Sequence, residues 1–168
     1  MSKSAFKSYI KGLTKKQLEE QIEDLYDRFK EVKTFYDFAF NPKEDKRMDE
    51  AKAKITKEYF PTNGRRPKKR RSVAQKYVRH FMQLGMDPYL VIDLILFHVE
   101  VAQTYDAEMP IRSEAFHKAM FKSTEQALKL CAENGCFPEF SDRFEAIANH
   151  AGRYSWINAR LFYALIGE

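Results

Sequence analysis

The most uniformly hydrophobic stretch of the chain runs from residue 87 to residue 106 and reads DPYLVIDLILFHVEVAQTYD. Wound as an α-helix, it places four polar residues on one narrow stripe and leaves about two-thirds of its circumference apolar. Those polar residues are Asp93, Glu100, Gln103 and Thr104. A helix this apolar is stable in water only when neighbours cover it, and its two carboxylates make it a poor membrane span. The pattern predicts the central helix of a soluble bundle.

A heptad spacing of apolar residues comes earlier in the chain. Thr14 and Gln17 have the spacing of a capping box, so a helix is expected to begin beside Thr14. Its apolar residues recur at intervals of four and three: Leu18, Ile22, Leu25, Phe29, Val32 and Tyr36. This seam is typical of a long helix packed in a bundle, and also of a coiled coil that joins two protomers.

Caps and turn residues divide the rest of the chain into further helices. Asn41 is a predicted N-cap followed by Pro42, and Ser72 is a second N-cap with Gln75 as its capping-box partner. Asp87 is expected to cap the central helix.

Two connectors share the form Gly-x-x-Pro, at residues 85–88 and 135–138, and each joins two amphipathic helices. Two such hairpins side by side would form a short α-solenoid. No stretch shows the two-residue alternation of a strand. We therefore predict an all-α fold of seven or eight helices, arranged as an irregular bundle or as a short α-solenoid of stacked helical hairpins.

The composition suits one core of ordinary size, since 44% of the 168 residues are hydrophobic. We expect a single all-helical domain over residues 1–168. Cys131 and Cys136 are too few for a disulfide framework, and their spacing matches no common zinc motif, which favours free thiols. The first residues lack the apolar run of a signal peptide, so we expect a cytoplasmic protein without membrane attachment.

The net charge of +5 is concentrated in one place. Residues 61–84 hold eight Lys and Arg and no Asp or Glu, whereas residues 85–168 hold seven basic against twelve acidic residues. Six of the seven residues in RRPKKRR, residues 65–71, are cationic and precede a predicted helix N-terminus. Positive charge there opposes the helix dipole, and a local rule broken without compensation is typical of a functional site.

An anion would make this arrangement favourable, because helix N–H groups and arginine side chains can converge on one phosphate. We predict a site for nucleic acid or another polyanion formed by Arg65, Arg66, Lys68, Lys69, Arg70, Arg71, Ser72, Lys76 and Arg79. Two other interpretations stay open. The cations could instead pair internally with Asp93 and Glu100, or the run could be a targeting or modification signal.

Signals for catalysis are weaker. Asp93 and Glu100 have the spacing of an acid–base pair, but a solvent-facing helix edge or a neighbouring Arg explains them equally. Glu114 and His117 form one Glu-x-x-His, whereas a di-iron bundle needs two. His98, on the apolar side of the central helix, is typical of a hydrogen-bonded core histidine. Since the common enzyme motifs are missing from the sequence, we predict no catalytic residue, metal or cofactor.

Residues 7–47, KSYIKGLTKKQLEEQIEDLYDRFKEVKTFYDFAFNPKEDKR, and residues 65–77, RRPKKRRSVAQKY, resemble members of a bacterial family of all-helical proteins classified as a domain of unknown function. The resemblance covers nearly the whole chain. It implies a soluble, single-domain bacterial protein of helical type, and it brings no activity, cofactor or site residue.

The residues themselves favour a non-enzymatic binding module that contacts an anionic partner. One alternative is a protein-interaction scaffold that uses an apolar groove or the aromatic residues from Phe35 to Phe40. The other is a metal or acid–base enzyme, which would need a pocket where Asp93 or Glu100 meets His117 or another histidine. The sequence leaves the oligomeric state open.

Overall fold

The structure, a computed structural model, describes residues 2–62 and 64–167. Within these residues the chain forms nine α-helices and no β-strand. The helices are α1 Lys3–Lys11, α2 Lys15–Arg28, α3 Lys30–Phe40, α4 Glu44–Tyr59, α5 Arg71–Leu84, α6 Pro88–Glu108, α7 Glu114–Asn134, α8 Phe137–Arg153 and α9 Ala159–Ile166. The all-α prediction is confirmed and a helical bundle fits it, but the predicted number of helices, seven or eight, is too low.

The additional helix arises at Phe29, where the predicted continuous helix is broken. Phe29 has extended backbone angles, φ −116° and ψ 114°, and caps both the end of α2 and the start of α3. The rings of Tyr26 and Tyr36 lie 6.3 Å apart, whereas a continuous helix would separate these positions by about 15 Å. Aromatic contact between α2 and α3 accompanies a break that no Gly or Pro marks in the sequence.

The chain divides into two compact units, Met1–Pro42 and Lys43–Glu168. The first unit contains α1, α2 and α3. Residues of the heptad seam remain accessible there: α2 has no buried residue, and Ile22 and Leu25 are 44% and 43% exposed. A single domain over residues 1–168 stays a prediction.

The second unit is built around α6, as the hydrophobic pattern predicted. Eleven residues of α6 are buried, and α4, α5, α7 and α8 all pack against it. The buried residues include Gln103, whose Nε2 donates to the Ile147 carbonyl at 2.9 Å. Of the helices in residues 2–62 and 64–167, none combines the length and apolar character needed to cross a membrane.

Several predicted helix boundaries are confirmed. Thr14 and Gln17 form the capping box at the start of α2, and Asp87 accepts a backbone N–H at the start of α6. Gly85 and Gly135 end their helices in the left-handed conformation, at φ 73° and 66°. Glycine adopts this conformation without the steric cost that a Cβ brings.

Two predicted N-caps are wrong. Asn41 is the last cap of α3, since its N–H bonds to the Asp37 carbonyl, and Lys43 precedes α4. Helix α5 begins one residue before Ser72, because the Arg70 carbonyl already accepts the Val73 N–H. In both cases a backbone bond fixed by the preceding segment takes precedence over the local capping preference.

The core histidine is confirmed. His98 is 1% exposed, and its Nε2 lies 3.0 Å from the Tyr59 hydroxyl. Burial, together with the nearby charge of Arg71, lowers the pKa of His98 to about 4. The imidazole is therefore neutral near pH 7, with Nε2 able to accept the hydroxyl hydrogen of Tyr59.

This pKa predicts a specific dependence of stability on pH. Between pH 6.5 and about 4 the unfolded chain binds a proton at His98 that the folded chain does not bind, so stability falls as pH falls. Relative to a His98→Gln variant, the wild type should lose about 2 to 3 kcal/mol of unfolding free energy between pH 7 and pH 4.5. Urea unfolding of both proteins at the two pH values measures this loss. If the difference in unfolding free energy between the wild type and His98→Gln were the same at both pH values, the buried neutral imidazole would be contradicted.

Candidate functional site

The basic run lies between α4 and α5 and folds back against the last turn of α4. The backbone N–H groups of Lys68 and Lys69 both donate to the Glu58 carbonyl, at 3.0 and 2.9 Å. Lys69 has φ 53°, a left-handed conformation that is uncommon for a residue with a Cβ. Two backbone bonds to one carbonyl therefore hold the run in a defined shape.

Arg70 acts as an internal clamp for this shape. Its Nε donates to Glu58 Oε2 at 2.9 Å and its Nη2 to Oε1 at 2.8 Å, a two-pronged ion pair. The hydrogen bond from Arg70 lowers the pKa of Glu58 despite burial of that carboxyl. Internal pairing thus occurs, but with an acid of α4 and not with Asp93 or Glu100.

Arg71 is half-buried and links α5 to α7. Its Nε donates to the Ser123 hydroxyl at 2.9 Å. Burial lowers the pKa of Arg71, and none of the described carboxylates forms an ion pair with it. Arg71 therefore contributes more to helix packing than to an exposed binding surface.

Three further cations of the run line a cleft together with Lys57 of α4. Its volume is about 260 Å³, and Lys57, Arg65, Arg66 and Lys68 line it together with Glu58 and Arg70. Arg65, Arg66 and Lys68 are exposed. Among residues 2–62 and 64–167 these four cations have no ion-pair partner. The cleft consequently presents positive charge to solvent from a fixed backbone.

Besides Arg71, four of the predicted site residues lie outside this cleft. Lys69 directs its Nζ over the ring of Tyr105, 5.3 Å from the ring centre. Ser72, Lys76 and Arg79 are exposed on α5. The structure thus divides the nine predicted residues into three groups: residues that line the cleft, residues whose side chains make internal contacts, and exposed residues of α5.

Asp93 and Glu100 share one partner, Arg143 of α8. Arg143 Nη1 donates to Asp93 Oδ1 at 2.7 Å, while its Nε and Nη2 donate to Glu100 at 2.6 and 2.9 Å. Lys52 forms a second ion pair with Asp93 at 2.7 Å. Burial alone would raise the pKa of Asp93, but the hydrogen bonds from Lys52 and Arg143 outweigh it and the pKa is lowered. Both acids serve to tie α4, α6 and α8 together.

A second polar cluster, not identified from the sequence, surrounds Asp106 at the end of α6. Asp106 is 2% exposed. Its Oδ1 accepts the Ile111 N–H at 2.6 Å, and its Oδ2 accepts the Trp156 Nε1–H at 2.8 Å. His150 Nε2 lies 3.9 Å from Oδ2. Because these groups come from distant parts of the chain, no local motif reveals the cluster; the available signal is an acid near the end of an apolar helix.

His117 belongs to the same cluster, but its Glu-x-x-His partner does not. The His117 ring stacks on Trp156, with centres 4.8 Å apart and planes at 11°. Glu114 instead pairs with Lys118 at 2.6 Å. In the part of the chain that the structure describes, no three His, Cys, Asp or Glu side chains are placed to hold a metal ion.

The two cysteines are free, as predicted, and both are buried. Burial raises the pKa of Cys131 to about 12, with neighbouring Cys136 adding to the effect. A thiol with so high a pKa forms little thiolate near pH 7 and is a poor nucleophile.

The model of a family of unknown function, DUF6155, matches residues 1–168. The chain belongs to DUF6155. This membership confirms the resemblance to a domain of unknown function. No curated protein and no solved structure matches the chain. Function in this DUF6155 protein must be argued from its own geometry.

The clamp between Glu58 and Arg70 predicts how the basic run responds to a single substitution. Glu58→Gln should loosen residues 65–71, because the ion pair with Arg70 is lost. The two backbone bonds to the carbonyl of residue 58 remain, so cleavage of the run by trypsin should become only several-fold faster. Limited proteolysis followed by mass spectrometry measures the rate. Glu133→Gln removes the same charge from an exposed pair with Lys129 on α7 and serves as the control. Equal rates for both variants would show that the pair does not order the run.

Proposed function

We propose that this DUF6155 protein is a non-enzymatic binding module whose basic run contacts a polyanion, with nucleic acid as the partner that best fits its chemistry. The observation that carries the proposal is the cleft formed by Lys57, Arg65, Arg66 and Lys68. Four cations on a concave surface, none of them in an ion pair with another described residue, provide the electrostatic footprint of phosphate binding.

The fixed backbone supports this proposal. A flexible run of cations would lose conformational freedom on binding, and that loss would offset part of the electrostatic gain. Here the Glu58 carbonyl and carboxylate already hold the run, so less freedom remains to be lost. Arg70 then acts as a positioning residue, while Arg65, Arg66 and Lys68 make the contacts.

The side chains on α5 extend the proposed surface. Lys76 and Arg79 are exposed, and both lie within the segment that has no acidic residue. Long cationic side chains spaced along a helix suit a phosphate backbone, which carries charge at regular intervals. Such contacts position a protein on nucleic acid without reading its sequence, so we expect weak sequence preference.

One observation favours a second function, that of a protein-interaction scaffold. In the first unit, Ile22, Tyr26, Tyr36 and Phe40 line a cleft of about 500 Å³. Phe40 is 84% exposed. Exposed aromatic groups around a cleft are typical of protein-binding surfaces. The ion pair between Arg70 and Glu58 also favours this alternative, because it leaves Arg70 less available to an anionic partner.

We also propose a cytoplasmic location. Cys131 and Cys136 are both unpaired thiols, which suits a reducing compartment.

Salt dependence tests the first proposal. If about five cations contact phosphates, binding of a fluorescently labelled DNA duplex should weaken with salt at a log–log slope of about −4 to −5. Arg65→Ala/Arg66→Ala/Lys68→Ala should weaken binding at low salt and bring the slope closer to zero by about 2 to 3. Fluorescence anisotropy over a series of KCl concentrations measures both quantities.

The matched control is Lys118→Ala/Lys122→Ala/Lys129→Ala, which removes the same charge from exposed positions on α7. This control should bind much as the wild type does. No binding at low salt would refute the proposal. An equal loss in both triple variants would show that net charge, and not the cleft, is responsible.

A further inference from the structure

A cavity of about 400 Å³ lies beside the Asp106 cluster in the second unit. It is bounded by the end of α6, the segment before α7 and the turn between α8 and α9. Its lining includes Asp106, Arg112, His117, Tyr154, Trp156 and Ile157. Its size is within the range of small-molecule sites.

One residue of the cavity lining has a buried polar atom that lacks a hydrogen-bond partner. Among the described residues, His117 Nε2, His150 Nε2 and Asn158 Oδ1 are the buried side-chain nitrogen and oxygen atoms without a hydrogen-bond partner. His117 and His150 both contact the Trp156 ring, and Asn158 Nδ2 donates to the His117 carbonyl. Buried polar atoms are nearly always satisfied. Of these three, His117 Nε2 belongs to a residue of the cavity lining, so it indicates a place for a ligand group.

The orphaned atom that belongs to the cavity lining is a hydrogen-bond donor. His117 Nδ1 accepts the Ile157 N–H at 3.4 Å. In a neutral imidazole the other nitrogen then carries the hydrogen. Burial lowers the pKa of His117, although Asp106 and the backbone of Ile111 oppose the shift. Within the described residues Nε2 meets no hydrogen-bond partner. His117 is 5% exposed, so its Nε2–H offers a desolvated donor.

A second donor lies at the rim of the cavity. Arg112 lines the cavity and is exposed, and no ion pair engages it within residues 2–62 and 64–167. Both oxygens of Asp106, by contrast, already accept N–H groups. The donors available at the cavity are therefore His117 Nε2–H and the Arg112 guanidinium, and both need a hydrogen-bond acceptor. An oxygen anion can accept from an imidazole N–H and a guanidinium together.

The walls and the local charge narrow the class of ligand further. Trp156 and Ile157 provide apolar surface, which favours an organic body over an inorganic ion. The Asp106 carboxylate is buried beside the cavity and repels an anionic ligand, more strongly if the ligand carries two negative charges than if it carries one. A planar carboxylate with one charge fits these conditions better than a phosphate.

We propose that this cavity binds a small organic monocarboxylate. Its carboxylate accepts hydrogen bonds from His117 Nε2 and Arg112, and its apolar body lies against Trp156 and Ile157. The proposal is independent of polyanion binding at the basic run, which uses other residues.

Fluorescence provides a direct test, because Trp156 is the one tryptophan of the chain. The full chain is titrated with sodium benzoate, with neutral benzamide and with inorganic phosphate, at constant ionic strength and pH 7.5. Benzoate should cause a saturable change in Trp156 emission. Benzamide and phosphate should bind at least about tenfold more weakly, because each lacks one of the required features.

Two variants assign the donors. Arg112→Gln and His117→Phe should each weaken benzoate binding by about tenfold or more, since each removes a charge-assisted hydrogen bond. Arg160→Gln removes an equal charge from an exposed position on α9 and should bind benzoate as the wild type does. Arg112 is exposed, so its variant is expected to fold and keeps the test decisive if His117→Phe does not.

Three results would overturn the proposal. One is the lack of a saturable change with benzoate in the wild type. Another is equal affinity for benzoate and benzamide, which would show that no carboxylate is recognised. The third is unchanged benzoate affinity in folded Arg112→Gln.

Discussion

Coverage of α6 on most of its surface is the constraint on which the second unit depends. A helix with eleven buried residues also buries polar groups. Each of these needs a partner, because an unsatisfied buried group costs about 1 to 3 kcal/mol. His98 bonds to Tyr59, Gln103 to a carbonyl of α8, and Asp106 to Trp156. These bonds set the positions of α4, α8 and the turn before α9 relative to α6. Hydrophobic burial brings the helices together, and the polar pairs determine how they are arranged.

Hydrophobic periodicity was sufficient to predict the helical class, the central place of α6 and the core position of His98. These features depend on which residues are apolar over a long window, and that information is local. The capping box at Thr14 and the helix ends at Gly85 and Gly135 were predicted for the same reason. Asn41 and Ser72 show the limit of local reasoning: each has good capping chemistry, but a backbone hydrogen bond of the neighbouring segment fixes the helix end elsewhere.

The partners of charged groups could not be predicted, because pairing depends on tertiary contact between distant residues. The sequence suggested that cations of the basic run could pair with Asp93 and Glu100. In the structure their partner is Arg143, which follows them by 50 and 43 residues. Glu58 holds Arg70 and the backbone of the run, but no local pattern in the sequence indicates this role. The Asp106 cluster was missed because its groups meet only after α8 has packed on α6. Phe29 carries no breaker signal, so the division between α2 and α3 was also missed.

Internal pairing explains why a positive surface remains. Three partly buried acids of the second unit are already engaged by arginines: Asp93 and Glu100 by Arg143, and Glu58 by Arg70. A free carboxylate within about one Debye length, roughly 10 Å at 0.1 M salt, would weaken the field of the cleft cations. Glu58 lines the cleft, yet Arg70 compensates its charge and the backbone of the run is held at the same time. Arg70 thus helps to order the run, while Arg65, Arg66 and Lys68 form no ion pair within the described residues, which leaves them available to a polyanion.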